Sequence, residues 1–367
     1  MKPTLRDIAK AVGVSPATVS LVLREKGNIS PDTRDQVLKV AAELGYLRQE
    51  KDGDGARSDK PRKTLGLLLV IDQSFSYMFY FISTIIDSLE KRVREDGYDV
   101  VLIPISFQST DAEIVMKVMD ARVKAVASLH YANVNAFVRL EDRGIPVVVV
   151  MNNKHLENYY SVCSDDFHGA YEGTKHLIGL GHRRLAYIGC DRFSLEALTR
   201  ERFMGFMSAI NEFRVDFDPS LQVNADTQDM AVLRKEVAEL FDRPNPPTAL
   251  FVLDDELALR VHMVLAERGL RMPYDVSIIA PGDVLDYSKP YIPQFSTMRI
   301  NTDIIGSTTG EFLMNRIRHA KQKLYGLKVN QEFVDRGSCA PPQTRETTDS
   351  DSLVNRFSPP ARNMALR

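Results

Sequence analysis

Pro16, Ala17, Thr18, Ser20, Leu21 and Arg24 fall on the outward side of one short helix that begins after Ser15. Small side chains there let the helix approach another polymer closely, and hydroxyls and exposed N–H groups at helix starts can hold phosphates. A second group with binding chemistry is Arg202, whose guanidinium at the start of a helix can grip a hydroxyl pair, a carboxylate or a phosphate. A solvated arginine on a helix surface fits the same pattern. Catalytic constellations do not emerge. His130, His155, His168, His176, His182, His262 and His319 are dispersed, none forms H-E-x-x-H, and there is no G-x-S-x-G elbow. Cys163, Cys190 and Cys339 lie far apart, which argues against a zinc site and a disulfide framework. Gly66 lacks the partners of a dinucleotide fingerprint. The expectation is no catalysis, no metal and no cofactor.

Three helices in close succession must position the first group. Thr4 can cap one, with Asp7 three residues on and Leu5, Ile8, Ala9 and Val12 as its apolar stripe; Gly13 ends it. Ser15 and Pro16 open the next, with Val19, Val22 and Leu23 facing inward. Ser30 and Pro31 repeat the signature before Val37, Val40, Ala41 and Leu44, and Gly45 marks the stop. Two short amphipathic helices joined by a tight turn and braced by a third make a helix-turn-helix, whose second helix can enter a major groove. The same pattern also suits a three-helical protein-interaction bundle. Residues 1–63 carry a mildly basic balance within a chain of 367 residues and net charge -2.

From Thr64 the grammar changes to apolar runs alternating with amphipathic stretches, the signature of a parallel sheet covered on both faces. LGLLLVI, VVLIPI, AVASLH and PVVVVM read as four strands, and LAYIGC, TALFVL and VSIIA as three more in a second half. Two such halves make a pair of lobes, with ligands expected in the cleft beyond the carboxyl ends of the strands. No apolar run approaches the ~20 residues needed to cross a bilayer, and the opening MKPTLRDIAK has no apolar signal core, so a cytoplasmic protein without membrane partners is expected.

The first 46 residues resemble the DNA-binding domain of the lactose/galactose repressor (LacI-GalR) family of bacterial transcription regulators. Thr4, Leu5, Asp7, Ile8 and Ala9 match T-L-x-D-[IV]-A; Gly13, Val14, Ser15, Thr18, Val19 and Ser20 match G-V-S-x-x-T-V-S; Ile29-Ser30, Thr33-Arg34 and Leu44-Gly45-Tyr46 follow. The resemblance implies that Thr4, Ser15, Thr18, Ser20, Asn28, Ser30, Thr33 and Tyr46 contact the DNA backbone. Leu5, Pro16, Ala17 and Leu21 would then meet base edges, with Arg24 on the same outward face. Leu21 stands where many members carry an arginine suited to guanine, so operator preference at that base pair should differ. The usual hinge helix with its wedging leucine is missing: Asp52 and Gly55 occupy the matching positions within LRQEKDGDGARSDKPRKT.

The resemblance continues to about residue 338 and implies the two-lobed periplasmic-binding-protein-like (type I) α/β/α fold. SDDFHGAYEGTKHLIGLGHRRLAYIG and Arg202-x-x-Gly205-Phe206 carry it. The expected arrangement is a helix-turn-helix domain over 1–48, a flexible linker over 49–63, a sensing and dimerisation domain over 64–338, and a disordered tail over 339–367. Lobe 1 would take about 64–163 and 297–326, lobe 2 about 164–296 and 327–338. The effector contacts implied are Phe81, Met151, Arg202, Asp254, Gly282 and Asp283. Met151 and Gly282 replace carboxylates suited to sugar hydroxyls, whereas Asp254 replaces the usual asparagine and also fits a plain helix cap. The partners expected are a double-stranded operator, a small-molecule effector with sugars and sugar derivatives among the candidates, and a second copy of the chain, with apolar faces near Phe79 to Ile86 and Val261 to Leu270 at the dimer surface. Two readings stay open beside a ligand-modulated repressor: a regulator that needs no effector, and a cytosolic small-molecule-binding protein with degenerate DNA binding.

Overall fold

The computed structural model describes residues 5–15, 18–19, 22, 30–43, 63–70, 79–152, 159–189, 196–224, 229–319 and 326–343. The chain divides into two compact units, residues 1–61 and 62–367.

In the first unit, α1 (Leu5–Val12) and α2 (Pro31–Glu43) flank helical residues 18, 19 and 22. Gly13 ends α1 with φ +77°, a left-handed conformation that costs glycine little. Its N–H and that of Val14 both donate to the Ala9 carbonyl, at 2.9 and 3.0 Å, satisfying the end of the helix. Immediately afterwards the Ser15 hydroxyl accepts from Thr18 N at 3.0 Å, and the Ser30 hydroxyl accepts from Thr33 N at 3.3 Å, so each serine supplies a partner to an otherwise orphaned helix-start donor. Ile8, Ala9, Val19, Val22, Val37 and Ala41 form one buried cluster. The expected linker lies outside the described residues except for Lys63, which already opens the first strand.

The second unit holds two six-stranded sheets. One contains β1 (Lys63–Val70), β2 (Tyr98–Ile105), β3 (Val126–Leu129), β4 (Val147–Val150), β5 (Tyr160–Ser164) and β11 (Gly326–Val329), in the order β11-β5-β4-β3-β1-β2, with every pairing parallel. The other contains β6 (Leu185–Gly189), β7 (Gln222–Asn224), β8 (Ala249–Val252), β9 (Ser277–Gly282), β10 (Ser296–Arg299) and β12 (Glu332–Val334). Its order is β12-β10-β9-β8-β6-β7, parallel except where β12 runs against β10. Helices α3 (Phe79–Glu95), α4 (Asp111–Asp120), α5 (Val134–Glu141), α6 (Asp166–Gly179), α7 (Glu196–Glu212), α8 (Met230–Phe241), α9 (Asp255–Glu267) and α10 (Thr302–Arg318) complete the lobes.

The chain changes lobe after β5, after β10 and after β11. Two of these exchanges fall later than expected: residues 297–299 pair with β9 in the second sheet, and 327–329 pair with β5 in the first. STMR and GLKV mix polar with apolar residues, so neither announces the sheet it joins. The expected tail also starts too early. Ser338 O accepts from Ile278 N, and Ala340 N donates to Ser277 Oγ at 3.0 Å, so residues 338–340 are laced onto β9. Beyond Gln343 the expectation lies outside the described residues.

The apolar helix faces assigned to the dimer surface are mostly intrachain core. Phe81, Ile82, Ile85, Val261, Val264 and Leu265 are buried, and Tyr80 and Met263 are left exposed. No described helix is long and apolar enough to cross a membrane.

Candidate functional site

In the first unit, Thr4, Pro16, Ala17, Ser20, Leu21, Arg24, Asn28 and Tyr46 lie outside the described residues, and Leu5 is placed by backbone alone as the first residue of α1. The four remaining expected DNA contacts form two matched pairs. The hydroxyls of Ser15 and Thr18 are 2.8 Å apart, and those of Ser30 and Thr33 are 2.7 Å apart. Ser15 and Ser30 are exposed, and Thr18 and Thr33 half-buried. Each pair sits at a helix start, where the serine hydroxyl accepts from a backbone N–H and meets the threonine hydroxyl.

In the second unit, the carboxyl ends of strands from both sheets bring one cluster together. Arg202 is 2 % exposed, which removes the solvated-arginine alternative. Its Nε and Nη2 donate to Asp166 Oδ1 at 3.0 and 2.8 Å, and its Nη1 donates to the Leu253 carbonyl at the end of β8. Gln331 Nε2 adds a third donor to Asp166 Oδ1, at 3.0 Å. Gly205 makes this pairing possible: a Cβ there would come within 2.1 Å of the Phe167 carbonyl, so only glycine lets α7 lie this close to α6. Phe206 is fully buried behind it. The R-x-x-G-F spacing therefore encodes a buried ion pair, a helix contact and an anchor.

From the other lobe, His130 follows β3 with φ +57° and Met151 follows β4 with φ +55°. The His130 ring lies 6.3 Å from the ring of buried Phe81, tilted by 39°. Burial pushes the His130 imidazole down to about 4, against the pull of Asp166 and of a hydrogen bond to the Met151 backbone. The ring is therefore neutral at ordinary pH. Phe81 and Met151 thus belong to one neighbourhood, and His130 and Asp166, which sequence reasoning missed, complete it.

Asp254, Gly282 and Asp283 are placed otherwise. Asp254 Oδ1 accepts from Leu257 N at 2.7 Å, the capping role left open by the sequence. Asp283 is held by Arg336 at 2.9 Å, by Arg299 Nε at 2.6 Å and by the Thr297 hydroxyl. Burial opposes its ionisation, but these hydrogen bonds outweigh it and keep the carboxyl below the usual range. Gly282 adopts φ +137°, and a Cβ there would approach Asp255 Oδ1 to 2.5 Å. A larger residue at 282 meets both a strained backbone and a neighbouring carboxylate. Asp255 itself is fully buried and accepts from Val284 N, Leu285 N and Tyr287 Oη at 3.3, 3.1 and 3.0 Å. Burial, reinforced by Asp254, raises it to about 7 despite those donors.

His182 plays a structural part. Its Nδ1 lies 2.8 Å from Thr248 Oγ1 and its Nε2 lies 2.9 Å from the Ala340 carbonyl, tying the segment after β12 to the sheet.

Residues 4–49 match the family described as bacterial regulatory proteins, lacI family, and residues 174–339 match the periplasmic binding protein-like domain. The chain is 28% identical over 353 residues to the HTH-type transcriptional regulator DegA of Bacillus subtilis, covering 94% of this chain and 100% of that protein. It is 29% identical over 346 residues to the HTH-type transcriptional repressor PurR of Haemophilus influenzae, covering 91% and 98%. Among solved structures, the transcriptional regulator CelR-cellobiose complex aligns with TM-score 0.65 at 23% identity, over 92% of this chain and 99% of that one. The lac repressor dimer bound to operator and the anti-inducer ONPF aligns with TM-score 0.62 at 21% identity, over 93% and 100%. The chain thus carries a lacI-family regulatory domain over residues 4–49 followed by a periplasmic binding protein-like domain over residues 174–339, and it is similar over nearly its whole length to HTH-type transcriptional regulators.

Proposed function

We propose that this protein is a cytoplasmic transcription repressor that binds pseudo-palindromic operators as a homodimer through its N-terminal head and is modulated by a small molecule held between its lobes. The observation that carries the reading is the turn at Gly13 followed at once by the Ser15 cap, which starts the groove-entering helix within three residues of the end of α1. On this reading Thr4, Ser15, Thr18, Ser20, Asn28, Ser30, Thr33 and Tyr46 hold phosphates, Leu5, Pro16, Ala17 and Leu21 meet base edges, and Arg24 supports them. A two-fold dimer requires two half-sites. On this reading the effector pocket is bordered by Phe81, Met151 and Arg202, while Asp254, Gly282 and Asp283 act through the helix cap, turn and ion pairs they hold. The chain carries no catalysis of its own on this reading.

Selection of binding sites from random duplex DNA by the purified full-length protein tests this directly. The expected product is a symmetric site bound more tightly than random duplex, with affinity falling steeply as salt rises. An equal affinity for selected and random duplex, or a selected site bound equally well after removal of the first fifty residues, sinks the reading.

A further inference from the structure

The second sheet has a cavity at the amino ends of its strands, away from the carboxyl ends that the effector reading uses. Its walls come from the residues just before β6, β8 and β9, from the end of α8 and from the loop after α9. The volume is about 370 Å³, within the size range of binding pockets. Phe241, Pro247, Pro273 and Tyr274 give it apolar surface, and Tyr274 is 60% exposed.

The chain itself leads into this cavity. Ser338 Oγ donates to the Ile278 carbonyl at 2.6 Å, Ala340 N donates to Ser277 Oγ at 3.0 Å, and His182 Nε2 lies 2.9 Å from the Ala340 carbonyl. The segment after β12 is thereby pinned beside β9, and Pro342 and Gln343, where the described residues end, already form part of the cavity wall. Residues 344–367 follow. The first nine, TRETTDSDS, contain no hydrophobic residue; LVNRF comes next, and its Phe357 is the only aromatic residue after Gln343. Phe357 stands 14 positions beyond Gln343. That length reaches up to ~45 Å when extended, so the chain can double back to the wall it has just formed. Closing such a loop costs little more than closing a shorter one. Charge favours the return. Residues 344–352 carry Glu346, Asp349 and Asp351 against Arg345, whereas the two loops lining the cavity carry Arg243, Arg268 and Arg271 against Asp242 and Asp275.

We propose that this cavity is the docking site of the chain's own C-terminal segment, with Phe357 seated against Phe241, Tyr274 and the prolines and Leu353 beside it. An aromatic ring on aromatic and proline surface buries area and leaves no polar group unmet. The assignment does not depend on the repressor reading.

The test uses the full-length protein. Amide hydrogen exchange over residues 241–248 and 270–275 should run about tenfold faster in a Leu353→Ser, Phe357→Ser double variant than in the wild type, because both changes uncover the cavity without touching the folded lobe. Exchange there that is indifferent to the tail, as expected where a small molecule fills the cavity instead, overturns the proposal. From the other side, Tyr274→Ala should speed tryptic cleavage after Arg356 about tenfold, and an unchanged rate overturns it too. A cysteine pair, Asn245→Cys with Ser358→Cys, identifies the occupant. A disulfide closed within one chain is the expected product; a disulfide-linked dimer assigns the cavity to the tail of a second copy, and no disulfide leaves the tail undocked, each of which overturns the proposal.

Discussion

Arg202 Nη2 and Asp166 Oδ1 meet at 2.8 Å with their side chains 2% and 3% exposed, joining the start of α6 to α7. A pair this far from water is held by geometry: removing one partner strands the other charge in a medium that solvates it poorly. The pair therefore fixes α7 against α6 and, through the Leu253 carbonyl, against the end of β8.

Arg202→Met should consequently destabilise the protein by about 3–5 kcal/mol, because Asp166 is left unpaired. Adding Asp166→Asn should recover a large share of that loss, since a neutral amide needs no countercharge. Urea denaturation of the two single variants and the double variant measures the coupling. Additive effects of the two substitutions would show that the ion pair does not hold the helices in place.

Gly282→Ala should cost about 1–3 kcal/mol from backbone strain alone, and more from the crowding of its Cβ on Asp255 Oδ1 at 2.5 Å. Gly282→Asp should be worse, as it sets a second carboxylate against the first. Shortening the neighbour by Asp255→Ala should soften the Gly282→Ala penalty. Tm values across this set decide the matter, and a Gly282→Ala protein as stable as the wild type contradicts the cause assigned here.

Asp255 gives the pH profile a definite sign. Its carboxyl is raised from 3.8 unfolded to about 7 folded, so the native state binds more protons than the unfolded state between those values. Its contribution to stability is complete below about pH 4 and is lost as pH rises through 7. His130 works in the opposite sense, being lowered from 6.5 to about 4, so its contribution is present above 6.5 and lost as pH falls toward 4. Asp255→Asn should remove the first effect alone, so stability measured by urea denaturation should fall more steeply on acidification than in the wild type. A slope unchanged between pH 4 and 7 would show that Asp255 ionises as it does in the unfolded chain.

Apolar runs were legible as β1, β2, β3, β4, β6, β8 and β9, most of them without alternation because a strand covered on both faces needs none. β5 escaped although all five of its residues are buried, since YSVCS hides its burial behind Ser161, Cys163 and Ser164. β7, β11 and β12 are short, and GLKV leaves Leu327 exposed at a sheet edge. In the site, Arg202 was visible through its motif, but its partner Asp166 is 36 residues away and no local pattern links them. His130 was noticed only as one of several scattered histidines; what distinguishes it is a vacant nitrogen and a positive φ, which only the folded chain displays.

The Ser15 hydroxyl caps the second helix and, on the proposed reading, also faces the duplex, and substitution can divide these two duties. Ser15→Ala removes the acceptor for Thr18 N and should cost about 1 kcal/mol of stability, weakening duplex binding by loosening the helix. Ser15→Asp retains an acceptor of equal capping strength and favours the helix dipole, so stability should hold or rise. It also places a negative charge where a phosphate is expected, so affinity for the selected duplex should fall by tenfold or more, on the order of one lost phosphate contact with added repulsion. Stability from denaturation and affinity from fluorescence anisotropy, measured on the same preparations, separate the two duties. A Ser15→Asp protein that is stable and binds as tightly as the wild type would move Ser15 away from the phosphate backbone and leave it a cap alone.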